Sequence, residues 1–344
     1  MATKKGSLNV QLDKLWDDEK DVLPLSTRGN KYVIISDMHM GNGEKADDFK
    51  NNEDAVVRAF NHYQNEGYSL ILLGDVEELW QFTAEEVADR YNDSVYEAIR
   101  AFGDDRVYRV FGNHDFDWKT KDPIRTRSSL VYPVYEGIKL KDTNGIPKIL
   151  LIHGHQGTKD SDENSFSSRA FVMLYRYIEP HVKVDEAIAA PRSVITQEFE
   201  KERFNWAKKN NVILICGHTH RAVFKSESNL DILKRKRDDL QDQLVLSNAD
   251  PMSSERIELT SRIDRLNKEI QYETRLGREF KSLGRDPAPH YFNTGCALYT
   301  DGLTVIEIAS NKIKLVKWHR KVRNGDMFSI YREERLSDIL DRLK

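Results

Sequence analysis

The chain has 344 residues, 39% of them hydrophobic and 32% charged, enough for one large or two modest globular domains with a sizeable core. Its 53 Lys and Arg nearly balance 56 Asp and Glu, and the net charge of -3 excludes a global electrostatic attraction for nucleic acid or an anionic membrane, so any polyanion site must be local. Cys216 and Cys296 lie in apolar stretches and read as buried free thiols rather than a disulfide framework or a zinc-cysteine site. The apolar runs fall far short of the roughly 18 residues of a membrane span, the polar N-terminus has no signal-peptide core, and a cytoplasmic protein is expected.

In chain order, residues 1–30 read as a polar extension, with Leu12, Leu15 and Trp16 spaced for a short helix that packs onto the body. Short apolar runs then alternate with helical segments. YVII (32–35), LILL (70–73), VYRVF (107–111), ILLI (149–152) and VILIC (212–216) read as buried strands. Val56, Val57, Phe60 and Tyr63, then Val87, Tyr91, Val95 and Ile99, predict helices over 53–63 and 84–102, and the alternation predicts α/β layering. The stretch 160–210 is too long for an ordinary connection. Phe166, Ala170, Leu174 and Ile178 recur at helical steps, and a charged helix follows Pro191 and ends near Lys209, which together predict a helical cap.

Over 226–285, Leu230, Leu233, Arg237, Leu240 and Leu244 step 3-4-3-4, and Leu259, Ile263, Leu266 and Ile270 step 4-3-4 beyond the helix start at Asp250-Pro251. This pattern predicts an antiparallel coiled-coil hairpin. YFNTGCALY (291–299), LTVIEI (303–308) and IKLVKW (313–318) read as strands of a meander, and Leu336, Ile339 and Leu340 as a C-terminal helix. The domain reading is therefore an extension (1–30), a core (31–225 and 286–325) containing the cap (160–210), the hairpin (226–285) and the C-terminal helix (326–344).

Each apolar strand ends in residues that can ligate metal: Asp37-Met38-His39, Gly74-Asp75, Gly112-Asn113-His114-Asp115, His153-Gly154-His155 and Gly217-His218-Thr219-His220. Singly, each reads equally as a turn, a cap or a hydrogen-bonded core histidine. Together they point to one crevice, because strand ends of an α/β sheet converge where ligands bind. Residues two apart in an extended segment point the same way, so Asp37 with His39, and His218 with His220, are expected to converge while Met38 and Thr219 face elsewhere. Carboxylates, an amide and imidazoles without thiolate suit a borderline divalent ion, Mn first, with Fe, Zn or Ni as alternatives. More donors are present than one ion needs. Two ions about 3.5–4 Å apart, bridged by a carboxylate and a hydroxide, would use them all.

In this order, D-x-H, G-D, G-N-H-D, H-G-H and G-H-x-H resemble the calcineurin-like metallophosphoesterase superfamily. The resemblance implies a two-sheet β-sandwich flanked by helices, with a binuclear site at its rim, here elaborated by the cap and the hairpin. Carried over by position, Asp37, His39, Asp75 and His220 would hold one metal and Asp75, Asn113, His153 and His218 the other, with Asp75 as the bridge. It further implies hydrolysis of a phosphodiester, phosphomonoester or pyrophosphate by metal-bound hydroxide. His114 would stabilise charge or protonate the leaving group, with Asp115 either orienting it or capping the loop; His155 reads as a contact to the phosphate or to the ligands, as a surface histidine, or as a ligand in place of His153.

GDVEELW departs from the GDxVDRG of serine/threonine protein phosphatases and is closer to the GDxxExW of UDP-2,3-diacylglucosamine pyrophosphatase-like members, which also carry a helical insertion before the last histidine motif. Those members have Arg where this chain has His114, and they lack the hairpin. The hairpin reads as a device for self-association or a protein partner. Lys234-Arg235-Lys236-Arg237 could contact a nucleic-acid backbone, although Asp231, Asp238, Asp239 and Asp242 offset it. The competing readings are a DNA or RNA nuclease subunit with a partner on the hairpin, and a non-catalytic scaffold on the same fold.

Overall fold

The computed structural model describes residues 5–25, 29–119, 133–157, 186–247, 253–275, 289–323 and 325–343. The apolar runs lack polar alternation because each strand is buried on both faces and feeds two cores with alternate residues. Val33 and Ile35 of β2 (Tyr32–Ile35), with Leu70 and Leu72 of β3 (Ser69–Leu73), pack with Phe60 and Tyr63 of helix α2 (Glu53–Asn65). Ile34, Ile71 and Leu73 face the opposite way, against Ile149 and Leu151 of β7 (Pro147–Ile152) and Ile213 and Ile215 of β8 (Ile213–Cys216). Leu150, Ile152, Leu214 and Cys216 then meet Leu12 of α1 (Lys5–Asp17) and Phe204 and Trp206 of α5 (Glu186–Lys209). Four layers result, helix, sheet, sheet and helix, as the family resemblance implies.

In one sheet the strand order is β1 (Val22–Pro24), β6 (Gly137–Lys141), β7, β8, β11 (Tyr291–Thr294), β9 (Ala222–Phe224) and β10 (Glu227–Ser228). In the other it is β14 (Asp326–Arg335), β13 (Lys312–Arg323), β12 (Gly302–Ala309), β2, β3, β4 (Val107–Val110) and β5 (Val134–Tyr135). The central strands β2, β3 and β4 run parallel in one sheet, and β7, β8 and β11 in the other. Their C-terminal ends carry all five motifs.

Helix α3 (Ala84–Tyr91) starts at a Thr83/Glu86 capping box and continues through a π turn (Asn92–Tyr96) into α4 (Glu97–Arg100). The N-terminal helix α1 docks on α5, with the Trp206 indole N–H donating to Asp13 at 2.8 Å and Trp16 edge-on to Trp206. Helices α6 (Asn229–Leu246) and α7 (Ser254–Arg275) pair antiparallel, since Leu230 and Leu233 cluster with Ile270 at one end and Leu240 with Leu259 and Ile263 further along.

Three expectations change. YFNT is not part of the meander: β11 lies in the other sheet, parallel to β8, and the meander is β12–β13–β14. The helix expected over 326–344 is confined to α8 (Leu336–Asp341), because Asp326–Arg335 is an edge strand whose alternation is obscured by exposed charged residues. Pro191 does not precede a separate helix but lies within α5. The rest of the cap, with Phe166, Ala170, Leu174 and Ile178, lies outside the described residues, as does Asp250-Pro251. Cys216 and Cys296 are buried free thiols. Among the described residues, no helix is long and apolar enough to cross a membrane.

Candidate metal centre

The loops that follow the parallel strands turn sharply instead of running on extended. Asp37, His39, Asp75, His218 and His220 all have left-handed backbone, with φ between 48° and 68°, a conformation costing about 1–3 kcal/mol for each non-glycine residue. Asp37 and His39 still converge, but through this turn and not through strand alternation, whereas His218 and His220 enter different donor groups. Met38 does face away, into the core, and Thr219 turns toward α5. Asp and His tolerate the left-handed region better than most residues, the one sequence signal that the turn had.

The donors meet in overlapping groups, Asp37 with His39 and His220, and Asp75 with His153 and His218, while His39, Asp75 and His114 form a third. His220 Nε2 lies 3.2 Å from Asp37 Oδ1 and 3.1 Å from His39 Nε2. Asp75 Oδ2 lies 3.0 Å from His153 Nε2 and 3.8 Å from His39 Nε2. The ring of His153 is aimed by its Nδ1–H, which donates to the Leu73 carbonyl at 2.9 Å. Among the described residues, the buried Asn113 Oδ1 accepts no hydrogen bond, and His153 Nε2, with Nδ1 donating elsewhere, has only the Asp75 carboxylate beside it. Burial of unmatched polar atoms is costly, and a divalent cation is the partner that fits this mixture of carboxylate, amide and imidazole.

Without an ion, the carboxylates and imidazoles of the cluster offset one another. Burial alone would raise the pKa of Asp75, yet the surrounding His153, His114 and His39 hold it well below the usual carboxylate range. Burial likewise opposes charging of His153, but Asp75 and then Asp37 outweigh it and raise the ring to about 9. His218 is pushed down, first by burial and then by His153.

Two motif glycines are there for close approach. A Cβ on Gly112 would collide with Asp75 Oδ1 and lie 2.6 Å from the Asp75 backbone nitrogen, and one on Gly217 would collide with Ser36 and Asp37. Asp37 is further fixed by the Ser36 hydroxyl and by the backbone N–H of His218, which donates at 2.9 Å.

His114 is oriented by Glu78 and not by Asp115. The Glu78 carboxylate accepts from His114 Nδ1 at 2.8 Å and from His39 Nδ1 at 2.7 Å, so one side chain ties a candidate ligand to the candidate acid. Trp80 stacks on the other side of His114 at 3.8 Å between centroids, 24° from parallel. Burial disfavours the Glu78 carboxylate, but the bonds from His114 and His39 outweigh it and lower its pKa to about 2. Burial also opposes the charged His114 ring, which Asp75 and Glu78 nonetheless raise to about 9.

Asp115 is instead a brace. It accepts from the backbone N–H of Gly112 at 2.6 Å and Val76 at 2.8 Å and from Arg109 at 2.7 Å. Arg109 also forks onto Glu77, which accepts from Trp118 and Tyr96 at 3.0 Å each. The network fixes the ends of β3 and β4, and so Asp75 and Asn113. These contacts, to two backbone amides and Arg109, are those that the loop-capping alternative expects of Asp115.

His155 does not open toward a substrate. The Gly154 turn (φ 117°) tucks it in, 2% exposed, against Phe111 and His153, and burial pushes its pKa down to about 3. Glu78, Trp80, Glu77 and Arg109 escaped the sequence reading of the site, although GDVEELW carried three of them.

A two-sheet sandwich with carboxylate and imidazole donors gathered at the ends of its parallel strands defines a metal-dependent phosphohydrolase. The family model for Calcineurin-like phosphoesterase matches residues 31–222, more than half of the chain, and the protein belongs to that family. No curated protein matches the chain.

Proposed function

We propose that the protein is a binuclear metal-dependent phosphoesterase that cleaves a phosphodiester, phosphomonoester or pyrophosphate bond in a small or nucleotide-type substrate. The carrying observation is the pair of donor groups, Asp37–His39–His220 and Asp75–His153–His218, with Asp75 Oδ2 reaching both His153 and His39. Asp37, His39, Asp75 and His220 would hold one ion, and Asp75, Asn113, His153 and His218 the other, with Mn favoured by the donor chemistry. Such a pair supplies Lewis acidity toward phosphoryl oxygens and a nucleophile at neutral pH.

The chain's own residues do the rest. Asp75 and Asp37 leave the centre net positive once two divalent ions are bound, which favours a phosphate group. Glu78 and Trp80 hold the His114 imidazole beside the donor cluster, 21% exposed, where it can stabilise charge on the leaving oxygen or protonate it. The helical arm is an association device in this reading, with Val245, Leu246 and Ile257 exposed toward its far end. The nuclease alternative gains little from the basic run, since Arg235 pairs with Glu227 and Arg237 with Asp238.

The test is hydrolysis of bis-p-nitrophenyl phosphate and p-nitrophenyl phosphate with added Mn, alongside measured metal content and an Asp75→Ala control. Turnover abolished by that substitution supports the reading. Hydrolysis that persists in metal-stripped protein or in the control rejects it.

A further inference from the structure

Helix α5 touches the centre from outside the five motifs, through three residues near one another on the helix. Phe199 lies 5.0 Å from His218 between ring centroids and is itself covered by the Arg203 guanidinium. Arg203, 1% exposed, donates from Nε and Nη2 to the carbonyl of Gly154 and from Nη2 to that of Gln156. Those carbonyls belong to the turn that leaves His153. Glu200, 0% exposed, accepts at 2.6 Å from the hydroxyl of Thr219, the residue between His218 and His220. Asn293 closes the far side, donating from Nδ2 to the Gly217 carbonyl at 2.7 Å and to Thr219 Oγ1 at 3.1 Å.

A fully buried carboxylate is an expensive way to fill space. Among the described residues, Glu200 Oε2 makes no hydrogen bond, and the Arg221 guanidinium stands 4.0 Å away. The hydrogen bond it does make is to the residue flanked by two left-handed histidines. Those turns need an external restraint to persist, and the Thr219 hydroxyl is where one is applied.

We propose that Glu200 and Arg203 are positioning residues that clamp the imidazole side of the metal centre. Glu200 fixes the His218–His220 turn through Thr219, and Arg203 fixes the turn after His153, so that α5 sets the affinity of the centre for its ions. The inference rests on the metal-centre reading above. It assigns to α5, whose chain reaches the body through the long segment between the fourth and fifth motifs, control over three of the donors.

The experiment titrates Mn(II) into metal-free, full-length protein by calorimetry for wild type, Glu200→Ala, Glu200→Gln, Thr219→Val and Thr219→Ser, with a thermal melt of each metal-free protein as a check of folding. Partners that orient metal-binding histidines are worth about 10–100-fold in metal affinity. Glu200→Ala and Thr219→Val should each weaken Mn(II) binding at least about tenfold, whereas Glu200→Gln and Thr219→Ser, which keep an acceptor and a hydroxyl, should stay near wild type.

If wild type binds Mn(II) and the folded Ala and Val variants bind it equally well, the clamp is overturned alone. The same holds if Gln and Ser fail to restore binding, since packing and not the hydrogen bond would then matter. If wild type takes up no Mn(II), the metal-centre reading falls and the clamp with it. Thr219→Val and Thr219→Ser decide the point by themselves should Glu200→Ala not fold.

Discussion

Gly112→Ala tests the geometry of the centre with the smallest change available. Gly112 is not in the left-handed region, so alanine suits its backbone and only space is at issue. The new methyl would overlap Asp75 Oδ1 and lie 2.6 Å from the Asp75 nitrogen and 2.8 Å from its carboxyl carbon, so a shift of about 1 Å is needed to restore ordinary contact. Neither side yields easily, because the Gly112 N–H is held by Asp115 and the Asp75 carboxylate by the His114 N–H. Overpacking of this kind costs about 1–3 kcal/mol of stability. Ligand positions tolerate only about 0.2 Å, and a misplacement of about 1 Å at a reacting centre costs about 100-fold in rate.

The expected protein is therefore folded and moderately destabilised, with metal content and diester hydrolysis lost together. The assays are elemental analysis after Mn loading, a urea melt of the metal-free form and bis-p-nitrophenyl phosphate kinetics. Gly145→Ala is the control, since it faces open space although it adds strain at a φ of 77°. A Gly112→Ala protein with wild-type metal content and turnover would refute the placement of Asp75 at the heart of the centre.

Glu78→Ala should lower kcat for the diester by about 100-fold or more, and a variant with undiminished kcat would remove Glu78 from any role in holding His114. Arg109→Ala leaves Glu77 and Asp115 buried without their cation, and urea melts should show a loss of about 3–5 kcal/mol; a loss under 1 kcal/mol would mean the network is not a brace. Glu200 yields a pH test. Burial lifts its pKa from 4.5 to about 7 despite Arg221, so the folded chain holds a proton there that the unfolded chain releases. Stability that is complete below pH 4.5 is eroded as pH rises and lost through pH 7. In metal-free protein, Glu200→Gln should therefore melt higher than wild type at pH 8, by up to about 3 kcal/mol, with the gain falling away toward pH 4.5; a gain independent of pH would count against the assignment.

The layered fold was legible because strands such as YVII and LILL are apolar at every position, a pattern that only a strand buried on both faces requires. The five motifs were legible for a related reason, as each begins where an apolar run stops. What sequence left open follows from contacts between distant positions. Nothing in the pattern of 326–335 separates a solvated edge strand from a charged helix, because the partner that decides it, β13, is set by tertiary pairing. Asp115 follows His114 directly and so invites a catalytic pairing, yet the pull of Arg109 and two backbone amides outweighs adjacency. Glu78 is 36 residues from His114, and no local spacing rule links them. Glu200 lies in a helix whose charged sequence reads as solvent-exposed, and only the packed structure shows one carboxylate turned inward.

The chain leaves the sandwich for its helical arm after β10, beside Ser226, whose backbone N–H donates at 2.7 Å to the carbonyl of Tyr291, where it re-enters. Exit and return are thus one hydrogen bond apart, and the excursion between them closes on itself at the sheet. To the catalytic body such a detour is topologically silent: it changes neither the order nor the register of any strand that carries a donor. The gap between 228 and 291 is a natural splice point, at which an arm can be lengthened, exchanged for another module or cut to a turn while the strands that carry the donors stay where they are.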